Sequence, residues 1–302
     1  MQPNQNTMKN DLFTEQLKQS TGFRFFIYFM LLLICSLLGS AISHFMTAGN
    51  NINLLRAAQG ISHVMMFTIP PIGLYLLTRE KPLQEIGFRK INPIWAFFAG
   101  LALMFISLPI TNLLTEWNEG LNFGDAFAKI EEMLKSMEDA ATALTERMLN
   151  VETFGGLLVN LLVIALIPAI GEELTFRGVL QQALTKGCKN PHIAIILTAA
   201  IFSFIHFQFY GFFPRMFLGL VLGYMFYATG SLWTSIAMHF LNNGTAVVVY
   251  YLDNKGIIDA DVESFGTTSN VALITLSIAA TVGIIVLALR KKADPKMSIS
   301  AD

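Results

Sequence analysis

Long apolar stretches separated by short polar ones dominate the chain. Crossing a bilayer takes about 20 mostly apolar residues. Eight segments reach or approach that length: 23–45, 57–78, 93–115, 154–172, 191–209, 214–229, 232–252 and 269–289. The first follows a polar, Asn/Gln-rich start and is too long for the apolar region of a cleaved signal peptide, so it reads as a retained span. The fourth is interrupted at Pro168 and is expected to continue as a helix through Glu172 to about Lys186. The expected fold class is all-α, a polytopic membrane bundle of about eight transmembrane helices.

One stretch breaks the pattern. Between 116 and 152 the apolar residues Phe123, Phe127, Ile130, Leu134, Met137, Ala141, Leu144 and Met148 alternate spacings of four and three. That is a single stripe on an amphipathic helix. It is expected to lie at the interface, packed on the bilayer or on the protein's own spans. A lid, a substrate-docking element or a partner surface are the other readings.

Charge supplies the orientation. Basic residues concentrate on the cytoplasmic side of membrane proteins. With both termini inside, 13 of the 20 Lys and Arg fall on inner segments, among them Lys9, Lys18, Arg24, Arg79, Arg89, Lys186, Arg290 and Lys296. Six, including Arg56 and Arg215, fall outside, and the outer segments hold nine carboxylates between Glu116 and Glu152. The expected location is the cell membrane, with an extracytoplasmic amphipathic helix. The chain divides into an N-terminal tail (1–22), three first spans (23–115), the amphipathic segment (116–152), a transmembrane core (153–252), and a last span with a basic tail (253–302). Composition agrees: 54% hydrophobic residues against 14% charged, 25 Phe and a mean hydropathy of +0.55. Soluble domains carry about a quarter charged residues. The two cysteines, Cys35 and Cys188, exclude a disulfide framework.

The candidate chemistry lies inside the apolar runs. After the almost wholly apolar 159–170 come Glu172, Glu173 and Arg177. A charge at mid-membrane costs roughly 2.5–3.5 kcal/mol even on lenient insertion scales, which makes an intramembrane site the default reading. Glu173 and Arg177 are four apart and can pair along one helix face. Glu172 projects about 100° away and is free to face a cavity. His206, His239 and Asn243 also lie in apolar runs, the last two sharing a helix face. A turn near 187–191 places Glu172 and His206 at matching depth on adjacent helices. A buried carboxylate beside a histidine can serve as general base for water. His44, His63 and His192 have no such company in the sequence and read as structural or interfacial. Gly219 and Gly223 read as a close helix contact.

Glu172-Glu173-xxx-Arg177, Phe202-xxx-His206 and His239-xxx-Asn243, in that order on successive helices, resemble the CAAX-protease and bacteriocin-processing family of intramembrane endopeptidases. That family includes the Ras-converting enzyme type and the abortive-infection proteins. The resemblance covers about 150–252; Thr229-Gly230-Ser231-Leu232-Trp233 also looks like the family, and Ile86-Gly87-Phe88-Arg89 is a weaker echo. It implies that Glu172 and His206 activate a water, that His239 and Asn243 stabilise the oxyanion, and that Glu173 and Arg177 hold the geometry. No metal or other cofactor is implied. The implied partners are membrane lipid and a membrane-associated peptide, CAAX-like or bacteriocin-type, with no nucleic acid.

Two other readings compete. His206, His239 and a carboxylate could instead surround a zinc ion, although the chain has no His-Glu-xx-His. A non-catalytic immunity or scaffold protein, or a transporter, is the alternative outside hydrolysis; residues 1–150 hold no second copy of the 172–177 motif, which speaks against a repeat-built transporter.

Overall fold

The computed structural model describes residues 21–47, 51–78, 81–259 and 268–292. Helix is the only regular structure among them. In chain order the helices are α1 (Thr21–Thr47), α2 (Ile52–Thr78), the short α3 (Pro82–Ile86), α4 (Ile94–Ile106), α5 (Leu108–Glu119), α6 (Ala128–Leu149), α7 (Phe154–Cys188), α8 (Pro191–Phe204), α9 (Phe212–Thr229), α10 (Leu232–Asn254) and α11 (Val271–Lys292). The polar start, Arg79, the acidic 261 and 263 positions and the basic tail beyond 292 lie outside the described residues.

All eight expected spans are helical, but they are not equivalent. Helices α1, α2, α7, α9 and α11 are long and apolar enough to cross a membrane alone, and α4 with α5 are so only together, as a broken span or a re-entrant pair bent by 43°. Pro109 at the start of α5 explains the break, since it cannot return a hydrogen bond to the preceding turn. Helix α8 has only 14 residues and stops at Phe204, short of the expected 209. Phe207 ends the run with a left-handed φ of 53°. Helix α10 has 23 residues but spreads Ser235, His239, Asn242 and Asn243 along its length. The chain is a multi-pass membrane protein whose central helices are shorter or more polar than its outer ones.

Pro168 does not interrupt α7. The helix runs from Phe154 to Cys188, and π-helical winding over Leu161–Leu166 and Leu174–Gln181 takes up the irregularity. Pro168 has no N–H to return to the carbonyl of Ile164, four residues earlier. Asn243 of α10 donates to that carbonyl at 3.3 Å. A backbone acceptor at membrane depth is thus satisfied from the next helix, which it must be in lipid.

Two packing features hold the core. Gly219 and Gly223 of α9 face the α7–α8 pair as expected. A Cβ on Gly219 would lie 3.1 Å from the Cα of Ala199, and one on Gly223 would lie 3.0 Å from both Gln181 and Ile195. Secondly, the two family-like echoes meet. The Leu232 N–H donates to Gly87 O (2.8 Å), Ser231 Oγ donates to Arg89 O (2.7 Å), and the Phe88 and Trp233 rings sit 4.9 Å apart. This corner ties the start of α10 to the loop after α3.

The 116–152 stretch forms α5's end and the amphipathic α6. The last carbonyls of α6 are its unsatisfied acceptors. Buried Arg56 donates through Nε and Nη2 to Met148 O, Asn160 Nδ2 to Met148 O, and Asn254 Nδ2 to Leu149 O. A cation at a helix C-terminus also meets the negative end of its dipole. The C-terminal end of α6 is therefore docked on the protein's own helices.

Candidate active site

Consecutive residues on α7 face different neighbours. Glu173 and Arg177 are wholly buried and paired, Arg177 Nη1 lying 2.6 Å from Glu173 Oε1. Arg177 also donates to Gly219 O (2.9 Å) and lies over the Phe202 ring at 5.0 Å. The pair expected from the i, i+4 spacing is present, and it extends to α8 and α9.

Glu173 does more than hold Arg177. Its Oε1 also takes His239 Nδ1 at 3.0 Å. A carboxylate oxygen accepts, so Nδ1 carries the hydrogen and Nε2 points the other way. That nitrogen lies 3.8 Å from Glu172 Oε2. Glu173 thus fixes the ring of His239 and turns its second nitrogen toward Glu172.

Glu172 occupies the next position round the helix. Its Oε1 lies 3.5 Å from His63 Nε2, a buried nitrogen with no hydrogen bond. His63 comes from α2, and its ring packs on Phe67 at 4.7 Å. The sequence placed this histidine among the structural ones; the fold brings it against the candidate base.

His206 sits in the turn just beyond α8. Its Nδ1 lies 2.8 Å from Phe202 O. A carbonyl only accepts, so Nδ1 carries the proton and neutral His206 has its acceptor at Nε2. Glu172, His206, His239 and Asn243 line one cavity of about 280 Å³, together with Asn242, Arg215 and the apolar Phe202, Phe217 and Leu218. The four residues expected to act together are on its wall. Arg215, counted in the sequence with the outer loop charges, is there as well. Among the described residues no group of three or more His, Cys, Asp or Glu is arranged to hold a metal ion.

Residues 154–245 match the family model of type II CAAX prenyl endopeptidases, Rce1-like. That segment of the chain is similar to the Rce1-like endopeptidases. The Rce1-like segment contains Glu172, Glu173, Arg177, His206, His239 and Asn243, the same residues that converge in space. It leaves out His63, Arg56 and the 86–89 corner. Comparison with curated proteins and with solved structures finds no match.

Two of these contacts were not foreseeable from the sequence. His63 lies far upstream, and no i±4 spacing links it to an acidic residue. Arg215 follows an aromatic loop and looks like a solvated loop charge until α9 is placed beside α7.

Proposed function

We propose that this protein is an intramembrane endopeptidase in which Glu172 and His206 activate a water against a peptide bond of a membrane-associated substrate. The carrying observation is the single cavity walled by Glu172, His206, His239 and Asn243, all within the segment that matches the Rce1-like family model. Glu172 offers carboxylate lone pairs, and His206 offers Nε2 because its Nδ1–H is committed to Phe202 O. One of them takes a proton as the water oxygen bonds to the carbonyl carbon. The C–N bond then breaks, and the departing amine takes that proton back.

The oxyanion formed in between needs donors, and one such donor can be worth about 10²–10³ in rate. Asn243 spends one amide hydrogen on Ile164 O and has a second to give. His239, its ring held at Nδ1 by Glu173, is the second proposed oxyanion partner. Glu173 and Arg177 are positioning residues, and His63 lies beside the Glu172 carboxylate at 3.5 Å.

The reading takes a metal-free route and places both termini in the cytoplasm. Its substrate class is a lipidated or otherwise membrane-bound peptide. The test is cleavage of a farnesylated CAAX-type peptide by the purified full-length protein in liposomes, followed by mass spectrometry. Cleavage is expected to survive phenanthroline. Inhibition by the chelator, reversed by added zinc, would replace the carboxylate mechanism with a metal-bound hydroxide.

A further inference from the structure

Arg215 stands on the wall of that cavity with no carboxylate in direct contact; the acidic groups that act on it, Glu138 and Glu172, do so through space. It stands in the first turn of α9, which carries no acidic residue of its own, at the positive end of the helix dipole. Its guanidinium donates to neutral acceptors, Nη2 to Gln208 Oε1 (3.1 Å) and Nη1 to Gln208 O (3.4 Å). Among the described residues no carboxylate lies within 4.0 Å of it.

The surroundings hold that guanidinium in place. A Cβ on Gly211 would fall 2.7 Å from Arg215 Nη2 and 3.2 Å from Cζ and Nη1. Gly211 has an ordinary negative φ of −97°, so the backbone does not call for glycine there; the guanidinium lying against it does. Gln208, which accepts from Arg215, in turn donates from Nε2 to Glu138 Oε1 of α6 (3.1 Å). Glu138 Oε2 also accepts from the Tyr210 N–H at 3.2 Å. The amphipathic helix, the 205–211 turn and Arg215 thus form one connected chain of hydrogen bonds.

A planar guanidinium presents paired donors that match a carboxylate. We propose that Arg215 is the subsite for a carboxylate of the bound peptide, positioned in the same cavity as Glu172 and His206. The inference rests on the endopeptidase reading for the identity of the ligand as a peptide, and on the geometry of Arg215 for its charge. The carboxylate can come from the C-terminus of the peptide or from an acidic side chain.

Binding is read by fluorescence anisotropy on the full-length Glu172→Gln variant in detergent, so that the probe is not consumed. Three dye-labelled farnesylated peptides of one sequence are compared: the C-terminal acid, the C-terminal amide, and the amide with one Asn near its end replaced by Asp. The acid is expected to bind at least about tenfold more tightly than the amide, the effect of one charge-assisted hydrogen bond. Adding Arg215→Gln is expected to erase that ratio, and Arg215→Lys to leave part of it. Gly211→Ala keeps the charge but displaces the guanidinium, and is expected to reduce the ratio in a protein that melts normally.

Tight binding of the Asp peptide would assign the carboxylate to a side chain; weak binding would assign it to the C-terminus. Equal binding of acid and amide, or a ratio unchanged by Arg215→Gln, overturns the proposal. Wild-type protein is scored separately for cleavage of the same peptides. An acid preference in binding with no cleavage would sink the proteolytic reading and leave the subsite standing. Cleavage without any acid preference would do the reverse.

Discussion

Helix α9 buries half of its most apolar stretch inside the protein, whereas α1 buries 11% of its own. Both are apolar, yet they meet opposite demands. Phe26, Phe29 and Leu37 of α1 are more than half exposed. That surface suits lipid and needs no protein partner. Helix α9 instead presents Leu222 and Met225 to a closed core, and gives Arg177 the carbonyl of Gly219. The difference shows where the energetic risk lies. A central helix next to buried charge must match its neighbours atom by atom, while an outer helix must only be greasy.

The comparison breaks most sharply at Glu173. Glu173→Gln removes the partner of a fully buried arginine, a change that costs about 3–5 kcal/mol. A large fall in melting temperature in detergent is expected. Adding Arg177→Met should recover much of the stability but little of the cleavage, because His239 still lacks the carboxylate that orients it. A Glu173→Gln protein that melts like wild type would show that the buried pair is not what holds α7, α8 and α9 together.

Apolar truncations sharpen the contrast without charge. Leu222→Ala on α9 opens a cavity at a wholly buried site and should cost about 2–5 kcal/mol. Leu37→Ala on α1 removes the same atoms from a position 63% exposed, and should change stability by no more than about 0.5 kcal/mol. Paired melts in one detergent check both. Equal losses would mean that α1 is packed against something more specific than lipid.

Much of this architecture was legible in the chain because it is local or repetitive. Apolar length marked the helices, i, i+4 spacing marked Glu173 with Arg177, and the small residues at 219 and 223 marked a close approach. The gathering of Glu172, His206, His239 and Asn243 could be read from hairpin arithmetic together with the order of the motifs. The rest depended on how helices were rotated and wound. The π turns of α7 leave no mark in hydropathy, and the Asn243 bond to Ile164 O joins residues of two different helices far apart in sequence. His63 and Arg215 each stand alone in sequence, so only their contacts reveal that both belong to the site.

The division of labour between the two adjacent glutamates carries the account, and Glu172→Gln tests it most directly. The substitution keeps size and hydrogen bonding while removing the base. Purified wild type and variant would be compared for melting temperature and for turnover of the farnesylated peptide in liposomes. The expected result is an unchanged melt with turnover reduced by roughly 10²–10⁴, the usual share of a general base. A variant that is stable and cleaves at the wild-type rate would contradict the assignment of Glu172 as the group that activates water.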